Sequence, residues 1–424
     1  MSESADASTF ENVVCPFCGL LCDDLQVNRD NAGLKVLKNG CARASSGFER
    51  QVLAATPQIS GKDASLEDAV TAAAAMIKKA SLPMYGGLST DVSGMRAAMS
   101  LADRTRGLVE HAYSYSVQYN MNVLQSAGYI MSTLTETRNR ADLIVIAGSD
   151  IHEIHPRFFE RIVRPAETLF EDGPKKRTVV FVGDSLDQSG VTGDTNIEAV
   201  TLPCPLERAD EVMAAVLARL REKPVTGEEV AGVSIAAIED LASRLREAEY
   251  SVVVWSTSSL KTAEPALFVH TLCEAVKLLN RTTRSAGLSL GGNEGAPTAT
   301  AVCGWQSGYP MPISFASGAP EYDPETISIN EKIASGEGDL LLWVASITPE
   351  PKPPDTNLPM IVLGTPGLKL DRQPDIFIPV GTPGLDHDGQ IIRNDSTVSL
   401  PLRSLRPALS PSVAEVLSAI EAKL

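Results

Sequence analysis

Apolar positions along the chain follow two rhythms, one helical and one strand-like. "SLEDAVTAAAAMIKKA", from Ser65, carries a Ser cap, an acidic first turn and closing lysines, which predict a helix. "DVSGMRAAMSLADRTRG" predicts a second helix ending at Gly107. "ADEVMAAVLARLRE" and "IAAIEDLASRLREA" are amphipathic and predict two more. Short apolar runs predict buried strands: "PMYGG" (83–87), "ADLIVIAGSD" (141–150), "RTVVFVGDS" (177–185), "YSVVVWS" (250–256), "DLLLWVAS" (339–346), "LPMIVLG" (358–364) and "DIFIPV" (375–380). Two of these, at 141–150 and 177–185, run into a glycine turn. Strands alternating with helices imply an α/β chain with mostly parallel sheets covered on both faces.

The flanks read differently. Residues 1–13 predict a flexible tail. Residues 14–55 are loop-rich, with "DDLQV" and "GLKVL" as candidate short strands. Residues 290–324 are rich in Gly, Pro, Ser and aromatics. They are long for a structureless loop, so a functional or contact-forming segment is expected. "KPPDTNLP" (352–359) is a proline-rich connector.

With 424 residues, the chain predicts two or three domains. A net charge of −16 and the lack of a basic block disfavour nucleic acid and anionic membranes as partners. No apolar run is long enough for a transmembrane helix. The polar, acidic start does not read as a signal peptide, so a cytoplasmic location is expected. Seven cysteines in such a chain argue against a disulfide framework.

Four of the seven cluster. Cys15 and Cys18 are separated by two residues, Cys18 and Cys22 by three, and Cys41 follows after eighteen more. Thiolates favour soft metals and iron–sulfur clusters. Structural zinc more often pairs its cysteines as two CxxC knuckles, so the spacing fits a [4Fe–4S] cluster better. A zinc site, or four thiols without metal, remains an open alternative. Cys204, Cys273 and Cys303 stand alone and are expected in the core.

"CPFCGLLCDDLQV" with "NGCARASSGF" resembles the start of the B subunit of formylmethanofuran dehydrogenase, a shortened relative of the molybdopterin formate dehydrogenases. The likeness continues in order through 124–161, through "GNEGAPTATAVCGWQSGYPMPISFASGAPEYDP" (292–324) and through "VGTPGLDHDGQIIRNDSTVSLPLR" (380–403). The resemblance implies one [4Fe–4S] cluster on Cys15, Cys18, Cys22 and Cys41, and a cation between cluster and pterin at Arg43. In the family, a tungsten or molybdenum ion on two pterin guanine dinucleotides interconverts carbon dioxide and formate.

The sequence departs from that pattern. An ungapped count puts the family's metal-ligating cysteine at Ser116, and no cysteine lies between Cys41 and Cys204. The family's "GSNP" phosphate turn reads Gly148, Ser149, Asp150, Ile151, and His155 survives beyond it. A carboxylate at Asp150 beside phosphate would cost on the order of 4 kcal/mol at about 4 Å and an effective dielectric of about 20. The next turn, "VGDSLDQSG", lacks the family's arginine. Each feature also has a plainer reading: "AGSD" as a capped strand-to-helix turn, His155 as a packing residue, Trp305 and Tyr309 as interface aromatics.

These changes point to the bacterial branch of the family, the formyltransferase/hydrolase complex of methylotrophs. The resemblance implies a formyltransferase subunit that passes the formyl group from formyl-tetrahydromethanopterin to a methanofuran-type carrier. It also implies an amidohydrolase-like A subunit that releases formate, and a C subunit. This chain is then expected to be a redox-silent subunit with an empty tungsten or molybdenum pterin site and no catalytic residue of its own. The expected fold is a shortened formate-dehydrogenase-like α/β fold. It has a four-cysteine unit (14–55), a discontinuous domain (56–135 with 285–424) and a middle Rossmann-like domain (136–284). The alternatives are an active tungsten or molybdenum dehydrogenase subunit using Ser116 or no protein ligand, or a purely structural metal knot at the cysteines.

Overall fold

The computed structural model describes residues 8–51, 53–170, 173, 174, 176–291 and 293–424. Among these, the chain forms two compact units, one from the residues up to Ser114 and after Gly291, the other from Tyr115–Gly291. The sequence placed those crossings at 135 and 284. The earlier crossing has a physical reason in the Ser114–Ser126 helix, which the hydropathy pattern did not reveal. Its Val123 is buried in the second unit's core, and its Asn120 accepts a hydrogen bond from Trp255 Nε1 at 3.0 Å.

The first unit begins with an antiparallel sheet of Ser8–Val13, Leu25–Asp30 and Gly33–Lys38. Residues 8–13 are therefore a paired strand where a flexible tail was expected; the first seven residues lie outside the described ones. The remainder of the unit surrounds an eight-stranded sheet. Its order is Ile313–Ser314, Leu108–Val109, Pro83–Ser89, Leu340–Ala345, Met360–Gly364, Ile376–Pro379, Gln58–Ile59, Lys62–Asp63. The central strands are parallel and the edges antiparallel. Helices Leu66–Lys79, Val92–Thr105 and Val413–Glu421 cover it with Ala73, Ala98, Leu101 and Leu417, all fully buried. Ser65 caps the first of these by accepting from Asp68 N–H, as its sequence implies. The second helix turns left-handed at Arg106, one residue before the expected glycine.

The second unit holds a fully parallel sheet ordered Ile197–Leu202, Arg177–Val182, Leu143–Ala147, Tyr250–Trp255, Arg284–Ser289. Its core includes Val145, Val180, Val253 and helical Phe268 and Leu272. The chain is thus mixed α/β with parallel sheets. Among the described residues, no helix is long and apolar enough to cross a membrane.

The 290–324 stretch is not a structureless loop. It contains the Ala296–Ser307 helix, started by Gly295 and ended by Gly308, both left-handed, with Pro297 in its first turn. Ala, Thr and Gly dominate this helix, so no apolar stripe announces it in the sequence.

Candidate functional site

Open parallel sheets bind ligands outside the carboxyl ends of their strands, where the strand order reverses. In the second unit, Leu143–Ala147 and Tyr250–Trp255 are neighbours whose onward chains run in opposite directions. Their carboxyl ends lead into Gly148–Asp150 and Ser256–Ser258, and Ser149 closes that crevice. Its Oγ accepts from Ser256 N–H at 3.0 Å and donates to Ser256 O at 3.3 Å, with both residues fully buried. Gly148 has φ +60, and a Cβ there would stand 3.0 Å from Phe268 Cε1 and 3.3 Å from Ala209 Cβ. Its freedom serves helix packing.

Asp150 caps the Ile151–Ile154 turn. It accepts Glu153 N–H at 3.0 Å on one oxygen and Asp187 N–H at 3.1 Å on the other. The second donor lies on the "VGDSLDQSG" turn after Arg177–Val182. One carboxylate therefore engages a backbone donor from each of two turns of the kind that cradle phosphate. Ser189 N–H holds the Asp187 carboxyl below its ordinary range. His155 follows at the end of the capped turn and is fully buried.

Ser116 is buried on the first turn of the Ser114–Ser126 helix. Asn120, one turn on and on the same face, donates to Ser289 Oγ at 3.0 Å and Thr257 Oγ1 at 3.3 Å, at the carboxyl ends of two strands. Sequence reading missed Asn120, because no motif marks a single asparagine in a weakly patterned helix.

The first unit repeats the topology with different residues. Pro83–Ser89 and Leu340–Ala345 are parallel neighbours at the point of reversal. Between their carboxyl ends lies the Glu294 carboxylate. It accepts from Ser89 Oγ at 2.6 Å, Thr348 Oγ1 at 2.7 Å and Thr348 N–H at 3.3 Å. Glu294 is 5 % exposed and sits at φ 56, ψ 31, a left-handed conformation uncommon for this residue type. Burial raises its pKa above the ordinary carboxyl range. His111 Nδ1 accepts Tyr113 N–H at 3.1 Å, so its Nε2–H faces Glu294 O at 3.0 Å. Burial pushes this imidazole down to about 4, so it is neutral.

The cysteine unit is compact. Cys15 N–H donates to Cys22 O at 2.8 Å, closing the loop through left-handed Leu21 (φ 46). Phe17 meets Phe48 edge-on at 5.1 Å, which seats the loop on the Ala42–Phe48 helix behind Cys41. Cys15, Cys18 and Cys22 are buried and Cys41 is half-buried. Burial and then the Cys18 thiolate push Cys15 well up; burial and then Cys22 push Cys18 up to about 12. Exposed Arg43 favours the Cys18 thiolate. Buried thiols such as Cys15 and Cys18, which resist ionisation, are donors that a cation-rich centre would stabilise. Among the described residues, no three His, Cys, Asp or Glu side chains gather around one metal ion. A four-iron cluster spaces its thiolates more widely, because each binds a different iron. Cys15, Cys18, Cys22 and Cys41 are the side chains that would hold such a centre. At the Gly148–Asp150 turn, the chain's own Asp150 engages two of the backbone donors that a pyrophosphate could use.

No family model matches the chain. It is 24% identical over 412 residues to the B subunit of the tungsten-containing formylmethanofuran dehydrogenase 2 of Methanococcus maripaludis, covering 93% of this chain and 94% of the relative. The chain is therefore similar over nearly its whole length to formylmethanofuran dehydrogenase B subunits. It is also 25% identical over 373 residues to the B subunit of the formyltransferase/hydrolase complex Fhc of Methylorubrum extorquens, covering 85% of this chain and 95% of that one. Its fold matches a chain of the crystal structure of the formyltransferase/hydrolase complex (FhcABCD) from Methylorubrum extorquens with methylofuran. The TM-score is 0.73 at 24% identity, over 87% of this chain and 98% of that one.

Proposed function

We propose that this chain is the B subunit of a formyltransferase/hydrolase complex acting on a formyl-methanofuran-type carrier, and that it is itself redox-silent. Its fold is read as a shortened formate-dehydrogenase-like arrangement, with each parallel sheet a former dinucleotide-binding half. The observation that carries the reading is the self-occupied crevice: Ser149 and Asp150 in the second unit, Glu294 in the first. Hydrogen-bond donors already engaged by these carboxyl groups cannot also serve a pyrophosphate, and a second anion beside Asp150 would be repelled.

The proposed partners are the amidohydrolase-like A subunit, the formyltransferase subunit and the C subunit, in the cytoplasm. Formyl transfer and hydrolysis then occur on those subunits and need no electron from this one. Cys15, Cys18, Cys22 and Cys41 are the residues that would hold a [4Fe–4S] cluster. Its contribution here would be to cross-link the N-terminal sheet to the Ala42–Phe48 helix. The similarity to tungsten-containing relatives favours a second reading, an active dehydrogenase subunit with Ser116 near the metal.

The assembled complex separates the two. Redox silence predicts formate release from a formylated carrier with no formate-dependent reduction of a viologen dye. Viologen reduction that tracks this subunit would establish the second reading instead.

A further inference from the structure

The Ala296–Ser307 helix presents two contrasting faces. Thr298, Ala299, Val302 and Cys303 are buried in the first unit. Trp305, on the last turn, is 65 % exposed, and Tyr309, just past the Gly308 cap, is 43 % exposed. The Tyr309 ring stacks on Tyr322 with centroids 6.1 Å apart and planes 12° from parallel. The segment carrying Tyr322 is braced in turn: Ser314 and Glu321 exchange backbone hydrogen bonds at 3.0 and 2.8 Å. These rings therefore stand on a rigid platform. Rigid exposed aromatics lose little conformational entropy on binding, which suits them to anchoring a partner.

Charge states the partner's chemistry. No Lys or Arg occurs between Arg284 and Lys332, whereas Glu321 and Asp323, on either side of Tyr322, are exposed, as is Glu325. An indole and two phenol rings beside carboxylates attract guanidinium and ammonium groups, through the ring faces and through ion pairs. A second copy of this chain would set acid against acid across a two-fold contact, which disfavours self-association through this face.

We infer that the Trp305–Tyr309–Tyr322 platform docks a basic protein surface, an Arg- or Lys-bearing face of another subunit. The identity of that subunit rests on the complex proposed above.

The test uses the full complex, made by co-expressing this chain with the amidohydrolase-like, formyltransferase and C subunits. Dissociation of this chain on dilution is followed by size-exclusion chromatography with light scattering, at low and moderate salt. Trp305→Ala is expected to weaken retention at least tenfold, and Trp305→Phe to restore most of it. The pair Glu321→Lys and Glu325→Lys is expected to weaken it at least tenfold at low salt and to reduce its salt dependence. The isolated variants should keep the native melting temperature, since all three side chains are exposed. Retention of both variants within twofold of the native chain overturns the docking site. Failure of the native chain itself to join these subunits overturns the proposed function, and the docking partner with it.

Discussion

Removing the Glu294 carboxylate should open the first unit's crevice at a calculable cost. Glu294→Ala deletes three accepted hydrogen bonds, from Ser89 Oγ, Thr348 Oγ1 and Thr348 N–H. Ser89 is fully buried, so its hydroxyl is left without water, at about 1–3 kcal/mol. Thr348 is half-buried and can be rehydrated, so its share is about 1 kcal/mol. The emptied volume adds about 1 kcal/mol. The expected loss is about 3–5 kcal/mol at pH 7. Glu294→Gln keeps the volume and one accepting oxygen, and should lose only about 1 kcal/mol. Glu294→Gly loses the same bonds as Ala but relieves the left-handed backbone (φ 56), so it should be more stable than Ala by about 1 kcal/mol. Urea unfolding gives the ranking, and amide exchange across the Leu340–Ala345 strand and Thr348 localises it. Ala and Gln variants both within about 0.5 kcal/mol of the native chain would refute the role given to this carboxylate.

Further outcomes follow from single groups. Asp150→Ala should cost about 1–2 kcal/mol, because both donors it caps are solvent-accessible, and should accelerate exchange at the Asp187 amide. Glu110 is raised by burial from 4.5 to about 7, so its stability contribution is present below 4.5 and lost as pH rises through 7. Because Glu110 is only half-buried, Glu110→Gln should gain about 2 kcal/mol at pH 8 and nothing at pH 4.5; equal effects at both would contradict this. His111 acts in the opposite sense: its folded pKa of about 4 lies below the ordinary 6.5, so stability present above 6.5 falls as pH drops toward 4. That loss should reach about 3 kcal/mol in urea titrations and disappear in a variant lacking the imidazole. Ser116→Cys should confer no formate-dependent viologen reduction, because the crevices stay closed; detectable reduction would count against the closed-crevice account.

The parts legible in the sequence were those with strong periodicity. "ADLIVIAGSD" and "YSVVVWS" became the two central strands of the second unit, at Leu143–Ala147 and Tyr250–Trp255, and Ser65 capped its helix as written. The Ala296–Ser307 helix was hidden because small residues give it no apolar stripe, and its limits are set by two left-handed glycines. Asp150 was legible as a candidate cap and as an unwelcome charge at a phosphate turn. Its bond to the Asp187 amide was not, because it joins turns 37 residues apart. Glu294 was invisible as a site residue: its partners Ser89 and Thr348 lie 205 and 54 residues away and meet only once the parallel sheet forms.

The most direct test of redox silence is metal content per chain, measured for iron, molybdenum and tungsten on complex purified without oxygen. Redox silence predicts no stoichiometric molybdenum or tungsten, with iron, when present, confined to a cluster on Cys15, Cys18, Cys22 and Cys41 and lost when those cysteines are replaced. One molybdenum or tungsten per chain would contradict it, and would mean that the crevices at Ser149–Asp150 and Glu294 open to admit the pterin.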